Sequence, residues 1–144
     1  MTVSPISIIS LSFLFLLFLV LLTPFLRSNQ RILIPVGFSF IAVASLLAVV
    51  SGVWAVSDSI IYQVVMPAGL PELPFHIRLD QLSGFFLVVI GLLSLFVSIY
   101  SIGYVKGFIG QRSVTRLVVF SAVFLAGMQL VVLADDAFLF LVAW

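Results

Sequence analysis

Acidic residues that could bind or pass an ion stand at the edges of long apolar segments. Asp80 directly precedes one such segment, and Asp135 and Asp136 follow another. A carboxylate at a membrane boundary could admit an ion to a transport path. It could also accept hydrogen bonds from the first N–H groups of a helix and face the positive end of its dipole. We favour this capping role for all three residues.

Small and hydroxylated residues follow one face of the segment after Asp80. They recur at intervals of seven, three, four and three residues, as Gly84, Gly91, Ser94, Ser98 and Ser101. One interpretation is a polar lining for a water path. The other is a packing seam, because small residues let two helices approach closely and serine can hydrogen-bond across them. We predict the seam.

Basic residues form a third set, in two connections between apolar segments. They are Arg27, Arg31, Lys106, Arg112 and Arg116. Arg116 stands at the start of an apolar segment, where its charge could serve ion movement. Long basic side chains at helix ends usually extend to the membrane surface, however. We therefore predict that all five are cytoplasmic anchors.

The sequence contains few residues that could bind a metal ion or a redox cofactor. It has no cysteine and a single histidine, His76. Disulfides, iron–sulfur clusters, thiolate zinc sites and thiol nucleophiles are excluded, and one histidine is too few for a metal or haem site. We predict no cofactor, no metal ligand and no catalytic residue.

The composition assigns these residues to a membrane protein. The 144 residues are 64% hydrophobic and 8% charged, with a net charge of +1 and a mean hydropathy of +1.43. A soluble domain carries about 25% charged residues, and disordered chains are polar. The low net charge argues against a nucleic-acid partner. Uncharged intervals predict a single all-α domain in the lipid bilayer, with transmembrane helices at about 5–26, 32–56, 82–105 and 114–134.

The connections between these helices alternate in charge. The first and third are basic, whereas the second and the turn after the fourth helix are acidic. Because basic loops stay in the cytoplasm, the N-terminus is predicted to lie outside. In the second connection, residues 60–65 and 75–79 have the pattern of β-strands, and 67–74 are rich in turn residues. We predict a short external β-hairpin with a long connection.

Eight apolar residues, 137–144, follow Asp136 as the start of a fifth helix. Eight helical residues rise only about 12 Å, less than half of the membrane. We therefore expect that the sequence is cut short or that a partner completes it. No charged residue lies deep in the four full spans, although proton relays and transporters use buried charges. A small stand-alone transporter is accordingly disfavoured.

From Phe75 onward the sequence resembles a known family. The stretches that carry the likeness are 75–83, the pair Phe85-Phe86 and residues 98–104. They resemble the third helix of the antiporter-like proton-translocating subunits of respiratory complex I (NADH-quinone oxidoreductase), Mrp antiporters and group 4 nickel–iron hydrogenases. Residues 133–144 resemble the start of that family's fifth helix. The closest likeness is to the branch that contains the antiporter-like subunits of hydrogenase-4 and formate hydrogenlyase.

The resemblance implies that the chain is the N-terminal fragment of a larger membrane protein with inverted repeats. In the family a glutamate of the proton path follows the tryptophan that matches Trp144, so the working residues would lie beyond this sequence. The implied function is a non-catalytic membrane subunit of a complex that couples electron transfer to proton transport. The implied partners are the other membrane subunits, and the implied location is the cell inner (plasma) membrane. The alternatives are a structural or assembly subunit that moves no ions and an Mrp-type antiporter subunit.

Overall fold

A computed structural model describes residues 4–58, 60–70, 73–110 and 113–144. The described chain is helical apart from one two-stranded hairpin. Its elements are α1 (Pro5–Leu26), α2 (Gln30–Asp58), β1 (Tyr62–Leu70), β2 (Leu73–Leu79), α3 (Gln81–Tyr104), a 3₁₀ turn (Val105–Phe108), α4 (Val114–Leu133) and α5 (Ala137–Ala143). Within the described residues, four helices are long and apolar enough to cross a membrane. The prediction of four helices long and apolar enough to span a membrane is thus confirmed, while the prediction that α5 begins a fifth span stays a prediction.

Side-chain caps explain where the long helices begin. The Ser7 N–H is bonded to Ser4 Oγ at 3.4 Å and the Ser4 N–H to Ser7 Oγ at 2.9 Å, a capping box that precedes Pro5 at the first helical position. Ser113 accepts the Arg116 N–H in the same way at the start of α4. Each cap satisfies a backbone donor that the helix itself leaves unpaired.

Helix α2 is longer than the sequence predicted. It covers Gln30–Asp58, whereas the prediction was 32–56. Its second residue, Arg31, and its last, Asp58, carry charged side chains, which can reach the membrane surface from a terminal turn. A charged residue therefore indicates where a membrane span ends, but the helix itself can continue past it.

The helices pack in antiparallel pairs with a regular register. Ser51 Oγ donates to the Pro5 carbonyl at 2.7 Å, and Ser12 Oγ donates to the Ala44 carbonyl at 2.9 Å. Ser12 and Pro5 are seven residues apart, as are Ala44 and Ser51, so α1 and α2 keep one register over two turns. Ser83 Oγ links α3 to the Val132 carbonyl of α4 at 2.9 Å.

The apolar core is divided between the two ends of the bundle. The larger cluster joins α1, α2 and α4 and contains Leu16, Leu19, Leu33, Ile34, Phe38, Ile41, Ala44, Val105, Val114, Val118, Ala122 and Leu125. The smaller cluster contains Ile9, Ala48, Ala55, Leu79, Leu87 and Leu133. Many other large apolar side chains point outward, as expected for helices whose solvent is lipid.

The hairpin is antiparallel, as predicted, but its strands are longer and its connection is shorter. Pairing runs from Tyr62 opposite Leu79 to Leu70 opposite Leu73, with an irregularity between Met66 and Gly69. The strands therefore extend into residues 67–74, the predicted connection. The register shift leaves residues 67 and 68 without a partner on β2, and Pro67 has no N–H to donate to the ladder.

The charged residues are sorted between the two ends of the bundle. The α1–α2 and α3–α4 connections lie at one end, which we call the basic end and which carries Arg27, Arg31, Lys106 and Arg116. The opposite end, the hairpin end, carries Asp58, Arg78, Asp80, Asp135 and Asp136. Among the described residues no carboxylate side chain lies at the basic end. The predicted anchor Arg112 lies outside the described residues.

Candidate functional site

The densest group of polar contacts lies at the hairpin end, where β2 meets the starts of α3 and α5. Asp80 is the N-cap residue of α3, and its Oδ1 accepts the Ser83 N–H at 2.8 Å. Its second oxygen lies 3.1 Å from Arg78 Nη2. Both carboxylate oxygens of Asp80 are therefore engaged by neighbouring donors.

Asp136 has the same role for α5 and also holds the hairpin. Its Oδ1 accepts the Leu139 N–H at 2.6 Å, and its Oδ2 accepts the backbone N–H of His76 at 2.9 Å. The His76 Nδ1 atom is 3.6 Å from the same Oδ2. One carboxylate thus ties the start of α5 to strand β2.

Asp135 completes the junction through backbone and side chain. Its N–H donates to the His76 carbonyl at 3.0 Å, and Ala134 forms a β-bridge with Ile77. Its carboxylate lies 3.5 Å from Arg78 Nη1 and 3.4 Å from Gln63 Nε2. Arg78 therefore stands between two carboxylates that belong to distant parts of the sequence.

Backbone donors hold both capping carboxyls in the ionised form. The Ser83 N–H is the main cause that lowers the pKa of Asp80 below 3.8, and the charge of Arg78 acts in the same direction. The Leu139 and His76 N–H groups lower the pKa of Asp136 below the same value. A carboxylate of this kind is a poor proton acceptor near neutral pH. The described residues also contain no group of three or more metal-ligating side chains.

The small residues predicted as a seam differ in burial. Gly84, Gly91 and Ser98 are buried, whereas Ser94 and Ser101 are half-buried. A Cβ atom placed on Gly84 would lie 2.9 Å from the Gly52 carbonyl of α2, so the two backbones are in direct contact there. The Ser98 hydroxyl donates to the Ser94 carbonyl of its own helix at 2.6 Å and does not reach across.

The residues predicted as anchors are exposed wherever the structure describes them. Arg27, Arg31, Lys106 and Arg116 all have solvent- or lipid-accessible side chains. The rings of Tyr100 and Tyr104 are stacked nearby, with centroids 5.3 Å apart. Basic side chains beside aromatic rings are typical of a membrane interface.

One buried polar contact joins α1, α2 and α4 and was not predicted from the sequence. Ser12 and Gln129 are both fully buried, and Ser12 Oγ lies 3.2 Å from Gln129 Oε1 as well as 2.9 Å from the Ala44 carbonyl. The available signal was a glutamine within an otherwise apolar stretch of α4. A buried amide needs partners, and its presence in a span predicts a polar neighbour on another helix.

Comparison with known proteins finds a similarity that covers most of the hairpin and α3. No curated protein matches the chain. Residues 66–112, about a third of the chain, match the family described as NADH-Ubiquinone oxidoreductase (complex I), chain 5 N-terminus. The matched segment contains strand β2, the cap Asp80, the whole of α3 and the 3₁₀ turn. Over this segment the chain is similar to the N-terminus of complex I chain 5. This similarity supports the predicted resemblance to the antiporter-like family of membrane subunits.

Proposed function

We propose that the chain is a membrane subunit of a proton-translocating oxidoreductase complex, to which it contributes scaffold helices. The observation that carries this proposal is the match of residues 66–112 to the N-terminus of complex I chain 5. The four apolar helices support it, because subunits of this kind are embedded in lipid. The partners would be other membrane subunits, and the location would be the cell inner (plasma) membrane.

The position of the charges supports a scaffold role for the described helices. Every charged side chain of the described residues lies in a connection or in a terminal turn of a helix. Proton paths within a membrane use buried ionisable groups that can exchange protons with water. Transport by the complex would therefore depend on groups outside the spans α1 to α4.

Two branches of the family fit this proposal. The resemblance of residues 75–105 favours a hydrogenase-4 or formate hydrogenlyase type of complex. The description of the matching family favours the NADH-quinone oxidoreductase type. In both, electron transfer in a partner would be coupled to proton movement in the membrane. An Mrp-type antiporter, which has no redox partner, is the third possibility.

Purification of the protein in mild detergent from its own membrane tests the proposal. We expect a large complex that contains the chain in stoichiometric amount. Nickel with hydrogen evolution identifies the hydrogenase type, and flavin with NADH oxidation identifies the complex I type. A complex without redox centres identifies the Mrp type. A chain that purifies without partners from membranes in which such complexes stay intact contradicts the proposal.

The charge distribution also favours a second candidate, a structural or assembly protein that moves no ions. An assembly protein would be required for formation of the complex but absent from the mature particle, which the same purification detects. For both candidates, the chain alone in proteoliposomes is expected to give no proton flux above that of empty vesicles under an imposed potential. A flux above that background excludes a scaffold role.

A further inference from the structure

The buried contact between Ser12 and Gln129 lies inside the bundle, away from the charged junction at the hairpin end. Gln129 stands four residues before the end of α4, about 6 Å of helix rise from it. Both side chains are fully buried, and the Ala44 carbonyl of α2 is the third polar group in contact. We refer to these three groups as the Ser12–Gln129 node.

The hydrogen bonds available within the node do not satisfy its donors and acceptors. Ser12 has one hydroxyl hydrogen, and two acceptors compete for it: the Ala44 carbonyl at 2.9 Å and Gln129 Oε1 at 3.2 Å. Gln129 Nε2 carries two N–H donors, is buried and has no partner among the described residues. The two N–H donors of Gln129 are therefore left without an acceptor among the described residues.

Rotating the amide of Gln129 by 180° does not remove the mismatch. Nε2 would then lie 3.2 Å from Ser12 Oγ and could donate to it, while the hydroxyl donates to Ala44. Oε1 would take the position that has no partner among the described residues. In either orientation one end of the amide faces a position where a further hydrogen-bonding group is required.

The surroundings define what that group is. The buried neighbours one turn away are Ile9 and Leu16 on α1 and Leu125 and Leu133 on α4, all apolar. A ligand at this depth must be small and neutral. It must accept a hydrogen bond from the Gln129 amide in one orientation of that amide and donate a hydrogen bond to it in the other. Water meets these conditions, and buried waters ordinarily bind two to four polar groups.

We propose that the Ser12–Gln129 node binds one water molecule, which joins the Gln129 amide to α1 and α2. The water satisfies the free end of the amide and makes Gln129 compatible with an apolar span. It links three helices at a level where no charged residue among those described is present. This proposal is independent of the function proposed above, because it depends only on the contacts of the node.

Water-edited solid-state NMR of the full chain in lipid bilayers tests the proposal. The label is ¹³C,¹⁵N-glutamine together with methionine labelled at the carbonyl carbon. Gln129 is the only glutamine that follows a methionine, so its signals are assigned without ambiguity. Exposed Gln63 provides the hydrated reference, and labelled Thr23 provides the dry one, since it is fully buried and its hydroxyl donates to Leu19 within α1 at 2.7 Å.

We expect magnetisation from water to reach Gln129 Nε2 far sooner than it reaches Thr23. Ser12→Ala removes one of the groups that hold the water and should slow this transfer severalfold, while Gln63 is unchanged. If Gln129 in the unmodified chain receives no more magnetisation than Thr23, the node is dry and the proposal is wrong. If the transfer persists undiminished in Ser12→Ala, water is present but is not bound by the node, which also overturns the proposal. The measurement on the unmodified chain stands even if the variant does not fold.

Discussion

The contact between α2 and α3 predicts a strong response to the smallest possible change in side chain. A Cβ atom on Gly52 would lie 2.5 Å from the Gly84 carbonyl oxygen. A Cβ atom on Gly91 would lie 2.8 Å from the Ser45 carbonyl oxygen and 2.7 Å from Val49 Cγ2. Gly84 and Gly91 are seven residues apart, as are Ser45 and Gly52, so both contacts lie on one side of each helix.

These distances set the expected magnitude. Backbone carbonyls of a helix cannot rotate away, so an added methyl group must push the helices apart by about half an ångström. Overpacking of this kind costs about 1–3 kcal/mol. Alanine gains about 0.5–1 kcal/mol over glycine in a helix interior, which offsets part of that cost. We expect Gly91→Ala to lower the free energy of unfolding by about 1–2 kcal/mol.

Gly103 offers a matched control in the same helix. Among the described residues, no atom outside its chain neighbours and its own helix backbone lies within 4 Å of the position its Cβ would take, so Gly103→Ala should stabilise the protein slightly. Unfolding by SDS in mixed micelles, followed by the fluorescence of Trp54 and Trp144, measures both variants. The Gly52→Ala and Gly84→Ala pair should be less costly than the sum of the single variants, because the first methyl group already separates the helices. Equal effects of Gly91→Ala and Gly103→Ala would refute the close contact of α2 and α3.

Three further outcomes are expected, two at the starts of helices and one in the connections between them. Asp80→Ala should destabilise the protein by about 1 kcal/mol through loss of the α3 cap, measured in the same SDS titration. Asp80→Asn should keep most of that stability, because asparagine can also cap a helix. The pKa values of Asp80 and Asp136 are lowered in the folded state, so their stabilisation is complete above about pH 4 and is lost as the pH falls through those values. Corrected amide exchange at the starts of α3 and α5 should be constant from neutral pH down to that point and accelerate below it; a loss of protection near pH 6 would contradict this cause. With the N-terminus outside, Val65→Cys should react with an impermeant maleimide in intact cells and Ser28→Cys only after lysis, and the reverse pattern would invert the proposed orientation.

The helices could be predicted from the sequence because the lipid environment imposes a simple pattern on it. A segment that crosses a bilayer must be apolar throughout, and the charged residues that interrupt the chain therefore mark the spans. Predicted and observed helices agree within about two residues at their ends. The period-two pattern predicted the hairpin but not its length, because the pairing of Leu70 with Leu73 follows a register shift that no sequence pattern marks.

Contacts between distant residues were beyond prediction from one sequence. The glycine face of α3 was visible, but its partners Ser45 and Gly52 on α2 depend on the register of two helices. Ser12 and Gln129 are separated by 117 residues, and either could have paired with several other polar groups. The pattern identifies the residues that need a neighbour, whereas packing determines which neighbour they obtain.

Strand β2 shows how a segment of family likeness can organise residues outside it. Its residues belong to the matched stretch 66–112, yet the backbone of His76 binds both Asp135 and Asp136, which lie beyond that stretch. Both bonds use the backbone of His76, so they fix the path of the strand and do not depend on the His76 side chain. Arg78 adds contacts with Asp80 and Asp135 on either side. Because β2 contacts the residues that begin both α3 and α5, a change in the course of β2 would alter the start of both helices together.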